Sequence, residues 1–335
     1  MYNIGIIGMG VGENHARAYL DHPDCNIKTI CDFDKDKSDQ IKLNYPQSEF
    51  TNSDLDIIND NSIDIVSVAS FDNYHFDQVV KLINNNKHVM VEKPICLFDH
   101  ELDGITESLK NNPNIVLSSN LVLRTNSRFK NFRNQLLSGD LGDVYYIEAD
   151  YYWGRLNKLY GWRADMGYYS IILGAAIHMI DLAIWLVNER PISVYALGNK
   201  IGTDTSRFKF NSFSILSIEF ESGLILKVTG NGSCVHPHFH GLKIFGTEKT
   251  IIHSLSNAFS LYSSSPDAEL NMITDGYPEK EKRKEVIHSF IDHLSNKKTN
   301  ISVSTKETID LMSVCFAAEQ SIIEGEKVSI SYKTI

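Results

Sequence analysis

The chain is short of basic charge: among its 335 residues, 32 Lys and Arg stand against 42 Asp and Glu, a formal net charge of −10. Such a balance repels phosphate backbones and anionic lipid unless a local basic patch overrides it. The one dense charge run, Glu279 to Glu285, mixes both signs and reads as a solvated loop or helix start. Neither nucleic acid nor a membrane is expected as a partner. Cysteine is also scarce. Cys25, Cys31, Cys96, Cys234 and Cys315 are odd in number and form no CxxC pair, which argues against a disulfide framework and for a reduced compartment, the cytoplasm. The longest apolar stretch, Ser170 to Val187, carries His178 and Asp181 in its middle, where a charge would be costly in lipid, so it reads as a buried helix. Met1 to Ile7 enters a strand-like run at once, without the basic start and small-residue cleavage site of a signal peptide. Internal repeats and linker-like segments are absent from the sequence. What is there is ordinary globular composition, 42% apolar and 22% charged, over a length that favours two domains.

From residue 2 to about residue 120, short β-branched runs alternate with helical patterns, as in βαβ units around a parallel sheet. Tyr2–Gly8, Asn26–Cys31, Ile63–Ala69, His88–Glu92 and Ile115–Ser119 read as strands, with Phe76, Val79, Val80 and Ile83 at helical spacing between two of them. The first strand runs into Gly8-Met-Gly10-Val11-Gly12 and an Ala-rich helix start. Glycines there let the backbone turn sharply and approach a pyrophosphate, and the helix N-terminus offers unpaired N–H groups. The spacing departs from G-x-G-x-x-G because the third glycine comes one residue early, with Glu13 in its place. Asp32 answers the turn about 20 residues on, at the end of the second strand. Its carboxylate would accept hydrogen bonds from ribose hydroxyls and oppose a 2′-phosphate, which favours NAD over NADP, although Lys35 is nearby.

Two further segments, Ala69-Ser-Phe-Asp-Asn-Tyr-His75 and Val91-Glu-Lys-Pro94, follow the glycine turn and the acidic strand end. In that order they resemble the glucose–fructose oxidoreductase and inositol dehydrogenase (Gfo/Idh/MocA) family of dinucleotide-dependent enzymes. The likeness continues through Asn120 to Arg124, Gly139 to Gly142, Trp162-Arg163, Ile177 to Asp181 and Phe245 to Thr247, over nearly the whole chain. It implies a Rossmann domain at residues 1–120, a doubly wound parallel sheet. An α+β domain at 121–335 would then bind substrate and oligomerise through a large, mostly antiparallel open sheet. By the same resemblance Gly8, Gly10, Val11 and Gly12 approach the dinucleotide and Asp32 holds the adenosine ribose. Ser70 and His75 line the cofactor cleft, Glu92 contacts the nicotinamide-side ribose or the peptide around it, and Lys93 points at the reacting carbon before a cis Lys-Pro bond. One departure is chemical: where the family commonly has Asp-x-x-x-His on a helix, this chain has Gly174-Ala-Ala-Ile-His178.

Oxidising a secondary alcohol with NAD needs a base for the hydroxyl proton as hydride leaves. Lys93 fills that role if burial beside a positive nicotinamide lowers its pKa toward ~7–8. His178 starts closer to neutrality, with Gly174 one helical turn before it and Asp181 three residues after. Asp165, Tyr168 and Tyr169 are candidates for the missing acid, and Arg124 and Arg163 for gripping an anionic substrate group or the nicotinamide amide. His236, His238 and His240 would share one face of a strand, but Pro237 and the lack of paired acids favour a polar sheet face or pocket rim over a metal.

Downstream strands are read at Val144–Tyr152, Ile192–Leu197, Ser214–Phe220, Leu224–Thr229 and Leu242–Phe245, and a late helix opens on the capping box Ser304-x-x-Glu307. A homodimer or homotetramer through this sheet is expected. The leading reading is an NAD-dependent oxidoreductase acting at a hydroxyl or keto carbon of a sugar-like substrate, with a nucleotide-activated or other anionic sugar favoured. Two alternatives stay open: a dinucleotide-binding sensor or scaffold without turnover, and a redox-assisted elimination or hydrolysis enzyme that retains its NAD.

Overall fold

The computed structural model describes residues 1–203, 207–297 and 300–335, and the chain divides into two compact units. The first comprises Met1–Thr125, Lys280–Met312 and Lys333–Ile335; the second comprises Asn126–Glu279 and Ser313–Tyr332.

The first unit begins β1 (Tyr2–Ile7), α1 (Gly12–Leu20), β2 (Cys25–Cys31), α2 (Ser38–Asn44), β3 (Glu49–Thr51), α3 (Asp54–Ile58), β4 (Ile65–Val68), α4 (His75–Asn84), β5 (His88–Val91), α5 (Asp99–Asn111) and β6 (Leu117–Ser119). Its six strands are all parallel, in the order β3-β2-β1-β4-β5-β6. Strand β4 is buried at every residue, as expected for a parallel strand covered on both faces. The stripe on α4 is His75, Gln78, Val79, Leu82 and Ile83, at helical spacing. The Phe76 ring lies over Gly104 of α5, where a Cβ would come within 3.0 Å of it. The sequence reading passes over β3, a three-residue edge strand too short to show alternation.

The second unit carries α6 (Ser127–Leu137), β7 (Val144–Tyr152), α7 (Ile177–Val187), β8 (Pro191–Asn199), β9 (Phe213–Phe220), β10 (Ile225–Asn231), β11 (Phe239–Gly246), β12 (Thr250–His253), β13 (Ala258–Leu261) and β14 (Asn271–Met272). Then come α8 (Glu285–Leu294), α9 (Thr305–Glu324) and β15 (Val328–Ser329), of which α8 and the start of α9 return to the first unit. The sheet order is β14-β13-β12-β11-β7-β10-β9-β8-β15. Only the β7–β10 pairing is parallel among the described residues. Ile147 and Ala149 of β7, Leu226 and Val228 of β10, and Leu216 and Ile218 of β9 are fully buried on the face that meets α7. Alternate residues point the other way, where Lys243 pairs with Glu148 at 3.0 Å and Lys227 with Asp150 at 2.5 Å.

The division at residue 120 needs correction. Residues 121–125 close the first unit, and 280–312 and 333–335 return to it. The apolar stripe of α8, Val286, Ile287, Phe290 and Ile291, is buried in this unit, and His288 Nε2 reaches the Ala18 carbonyl at the end of α1 at 2.9 Å. Ser118 Oγ of β6 donates to the Val303 carbonyl at 2.8 Å, and Lys333 pairs with Asp99 and Asp103 on α5. These ties join residues 185 or more apart in sequence, which no local pattern reveals. The capping box forms as read: Ser304 N donates to Glu307 Oε2 at 2.9 Å and Glu307 N to Ser304 Oγ at 3.2 Å.

Candidate functional site

The three glycines after β1 have three different physical roles. Gly8 has φ +90°, and a Cβ there would lie 2.5 Å from the Ala69 carbonyl oxygen, so both backbone conformation and space demand glycine. Around Gly10 a Cβ would meet nothing within 4 Å, leaving bare backbone open to an approaching group. At Gly12 a Cβ would meet Ala69 Cβ at 3.2 Å and Ile6 Cγ2 at 3.3 Å, so its lack of a side chain sets how closely α1 packs on the sheet. The early third glycine therefore still does the packing work. Val11, 50% exposed, precedes α1 and gives it no side-chain cap. Asn14 N turns back to the Val11 carbonyl at 2.9 Å, and the positive end of the helix dipole ahead of it faces the glycine turn, where an anion would be favoured.

Asp32 is 6% exposed and ties β2 to this turn. Its Oδ2 accepts from Met9 N at 2.8 Å, and its Oδ1 from Asp34 N at 2.9 Å. Lys37 reaches the carboxylate, with Nζ 3.0 Å from Oδ2. The acid is thereby fixed beside the glycine turn, at the carboxyl ends of β1 and β2 and next to the point where strand order reverses between β1 and β4. Dinucleotides bind in that crevice in open α/β sheets.

Ser70 and His75 behave differently from one another. Ser70 Oγ donates to Gln78 Oε1 at 2.7 Å. His75 is 0% exposed, and its ring nitrogens meet the Pro94 carbonyl at 2.6 Å and the Ser70 carbonyl at 3.2 Å. Instead of lining a cleft, it stitches the loop after β4 to the turn after β5. That turn carries Glu92 and Lys93, and the Lys93–Pro94 bond is cis. Behind Glu92 lies a buried chain that the sequence reading missed. His15 of α1 places Nδ1 2.7 Å from Ser67 Oγ and Nε2 2.9 Å from Glu92 Oε1, while Asn120 Nδ2 donates to the same Glu92 oxygen at 2.7 Å. Burial raises the Glu92 pKa, but hydrogen bonding and charge from His15, the Asn120 amide and the Lys93 charge outweigh it and hold the carboxyl at about 2. The signal available in sequence was a histidine on the buried face of α1, in line with Tyr19 one turn on, which also reaches Ser67 Oγ at 3.2 Å.

The described residues of the first unit therefore suit a dinucleotide: an open glycine backbone, an uncapped helix start, a fixed acid, and polar atoms left over. Asn120 Oδ1 and Ser119 Oγ are buried with no hydrogen-bond partner at the carboxyl end of β6, where a bound polar group would satisfy them.

In the second unit, Ile172–Ala176 form a π turn ahead of α7, a local widening often found at functional sites. Ser170 Oγ starts it, accepting from Ile172 N and Leu173 N at 3.0 Å each. Ser170 and Tyr168 both bond Glu319 of α9, whose pKa burial raises although those two hydrogen bonds oppose the shift. Tyr168 is thus engaged with Glu319. Gly174 sits inside the π turn, and a Cβ there would lie 2.0 Å from Tyr169 Oη and 2.6 Å from its Cζ. The buried Tyr169 phenol occupies the room that an acid at position 174 would need. Asp181 is buried on α7, and its charge, after burial and Glu319, raises the pKa of the Cys315 thiol of α9.

The His178 ring stacks on Tyr151 at 5.4 Å, and His240 and His238 meet the same tyrosine edge-on at 5.1 and 5.3 Å. Three imidazoles thus converge on one ring. The expected strand through His236, His238 and His240 does not form: β11 starts at Phe239, because Pro237 has no N–H to give a ladder. His236 turns away to stack on Tyr152 at 4.5 Å. Among the described residues no group of three or more His, Cys, Asp or Glu is arranged to hold a metal ion. Arg163 lies over Trp162 at 4.1 Å and Trp153 at 5.2 Å, with its Nε buried and lacking a hydrogen-bond partner. Asp165 is exposed on the turn that follows. Arg124, in the first unit, is 4% exposed and its Nη1 donates to Glu307 and to the Ser302 carbonyl. Those bonds tie it to the start of α9, an internal role in place of the expected grip on substrate.

Comparison with known proteins agrees with this construction. A family model described as "Oxidoreductase family, NAD-binding Rossmann fold" matches residues 2–119, and the GFO/IDH/MocA C-terminal domain matches residues 129–252. The chain is 22% identical over 335 residues to scyllo-inositol 2-dehydrogenase (NAD(+)) of Bacillus subtilis, covering 98% of this chain and 96% of that one. It is 23% identical over 250 residues to myo-inositol 2-dehydrogenase of Thermotoga maritima, covering 74% of each. Its fold is similar to that of levoglucosan dehydrogenase solved with NADH and levoglucosan, at TM-score 0.86 and 18% identity over 98% of this chain and 99% of that one. With both of its domains matched in order, the chain belongs to the Gfo/Idh/MocA family of oxidoreductases, with an NAD-binding Rossmann domain.

Proposed function

We propose that the protein is an NAD-dependent dehydrogenase that moves hydride to or from a CH–OH carbon of a polyol or sugar-like substrate. The observation that carries this reading is the alignment of the open glycine turn, Asp32 and the Glu92-Lys93 turn along the carboxyl edge of one parallel sheet. Gly8, Gly10, Val11 and Gly12 take the pyrophosphate, Asp32 the adenosine ribose, and Ser70 and Glu92 the nicotinamide side, with His75 holding the loops. NAD, when bound, supplies the hydride acceptor. Lys93 takes the hydroxyl proton in oxidation and returns it in reduction. In the second unit His178 is the second acid–base group, and His238, His240 and Tyr151 present a polar aromatic surface suited to a ring of hydroxyls. The name of the Bacillus relative, an inositol dehydrogenase using NAD(+), supports the same substrate class. An anionic or nucleotide-activated sugar keeps one supporting group, Arg163, whose unpartnered Nε–H would donate to a ligand oxygen. Asp165 and Tyr169 follow that arginine in sequence and are further substrate candidates.

Cofactor binding is the test. Wild type binds NADH in preference to NADPH by fluorescence titration, and Asp32→Ala relaxes that preference by about tenfold or more, in line with loss of a charge-assisted hydrogen bond. Absence of binding by either dinucleotide ends the dehydrogenase reading. NADH binding without turnover of any polyol or sugar points to a sensor, and turnover without net NADH change to redox-assisted elimination.

The proposed homodimer or homotetramer uses the face of the large sheet that carries Glu148, Asp150, Lys227 and Lys243 beside the stacked Tyr146 and Phe245. Light scattering is expected to give two or four chains per particle, and Tyr146→Glu to shift it to one; a monomeric wild type contradicts the proposal. Five scattered cysteines without a CxxC pair fit a cytoplasmic protein, and no helix among the described residues is long and apolar enough to cross a membrane.

A further inference from the structure

The buried chain behind the Glu92-Lys93 turn is not explained by cofactor contact alone. Ser67 is 0% exposed and His15 1%, so neither reaches a ligand from solvent. Their contacts nevertheless form one continuous chain: Tyr19 Oη lies 3.2 Å from Ser67 Oγ, Ser67 Oγ 2.7 Å from His15 Nδ1, and His15 Nε2 2.9 Å from Glu92 Oε1. Asn120, at the end of β6, closes the arrangement by donating to Glu92 Oε1 at 2.7 Å while its amide nitrogen lies 3.0 Å from His15 Nε2. Hydroxyl, imidazole and carboxylate stand in line as in a catalytic triad, but the hydroxyl is sealed inside the sheet and the carboxylate is at the open end. The nucleophile's position is therefore the anchor, and Glu92 is the group being held.

We propose that His15 is a positioning residue, fixed by Ser67, which holds the Glu92 carboxylate in place directly before Lys93 and thereby sets the working state of the lysine. This rests on the reading of Lys93 as the group that exchanges the substrate proton. The titratable groups facing Glu92 are His15 from α1 and Lys93 from its own turn; Asn120 adds a neutral donor, and Tyr19 acts only through Ser67. With these partners the carboxyl titrates at about 2, below the usual glutamate value of about 4.3. Its contribution to stability is complete above the unfolded value and is lost as the pH falls through the folded one. Without His15, burial is opposed only by Asn120 and Lys93, so the folded carboxyl moves up and the stability gained as it ionises at rising pH shrinks. A Glu92 carboxylate released from His15 also no longer stands in place as the negative neighbour that favours the Lys93 ammonium.

Two measurements on His15→Leu, His15→Gln and Asn120→Ala test this in the full-length chain. The Tm of cofactor-free His15→Leu is expected to fall further below wild type as pH rises from about 2 to about 5, the range between the folded and the unfolded value of Glu92. A merely structural loss of packing gives a gap that does not change with pH. In the alcohol-oxidation direction, the limb of the pH–kcat/KM profile assigned to Lys93 moves to lower pH in His15→Leu. It returns toward wild type in His15→Gln, which restores an N–H donor; Asn120→Ala shows the same shift, smaller. A pH-independent Tm gap together with an unmoved limb overturns the proposal. Should wild type bind no NADH, the dehydrogenase reading falls, while the widening Tm gap still reports whether His15 holds the carboxylate.

Discussion

Lys93→Ala is expected to lower kcat for polyol or sugar oxidation by about 10²–10⁴-fold, the range associated with removing a positioned general base, while NADH affinity changes little. The expectation rests on how the turn is held. His75 fixes the Pro94 carbonyl at 2.6 Å from within the first unit, and Glu92, immediately before the lysine, is bound by His15 and Asn120. Truncating Lys93 leaves these anchors intact, so the loss falls on the proton-transfer step and not on folding or cofactor binding. Lys93→Arg is not expected to rescue activity, since a guanidinium stays protonated at any working pH and cannot act as the base. Steady-state kinetics with NADH titration in parallel reads both quantities. Retention of kcat within a few-fold of wild type would remove Lys93 from the chemistry, and a large rise in NADH Kd would make its role one of binding.

A second large effect is expected at Gly174. Any side chain there meets the Tyr169 phenol, 2.0 Å from Oη and 2.6 Å from Cζ, and that ring is 3% exposed and packed against Phe208 at 5.6 Å. Gly174→Ala is therefore expected to destabilise the protein by about 1–3 kcal/mol, the usual result of overpacking a closed core, and Gly174→Asp by more because it also buries a carboxyl. The two positions share one volume, so their effects cannot add. Combining Gly174→Ala with Tyr169→Ala should give a coupling of about 0.5–3 kcal/mol relative to the sum of the single changes, read by denaturant unfolding. Additive effects would show that Tyr169 moves aside at no cost. This coupling accounts for the most visible departure from the family pattern: the acid commonly found at this place has no room, because a tyrosine five residues earlier fills it.

Much of the first unit was written in local sequence. Strand and helix periods, the glycine turn, the acid after β2 and the Glu-Lys-Pro turn each depend on residues within a few positions of one another. Backbone φ, helix capping and burial period act over that same range. The early glycine at position 12 shows why local reading succeeds even where a motif is imperfect: the position needs only the absence of a Cβ against Ala69 and Ile6. The capping box at Ser304 and Glu307 was legible for the same reason.

Tertiary structure decided what depends on partners distant in sequence. Arg124 has the chemistry of a substrate clamp, and only the return of residues 280–312 to the first unit assigns it to Glu307. His75 was read as a cleft residue from the family resemblance, and its ring is buried between two carbonyls as a brace. His15 gave no motif at all; its role exists only because α1, β4, β5 and the end of β6 bring Ser67, Glu92 and Asn120 to one place. His236, His238 and His240 were read as sharing one strand face by their alternation, whereas β11 takes in only His240, paired with Tyr151, and His238 and His178 meet the same ring. Sequence by itself determined the family, the cofactor-binding half and the residue types available for chemistry. Which of those residues brace the fold was decided by packing, since a side chain's structural role follows from the partners that surround it and not from its neighbours in the chain.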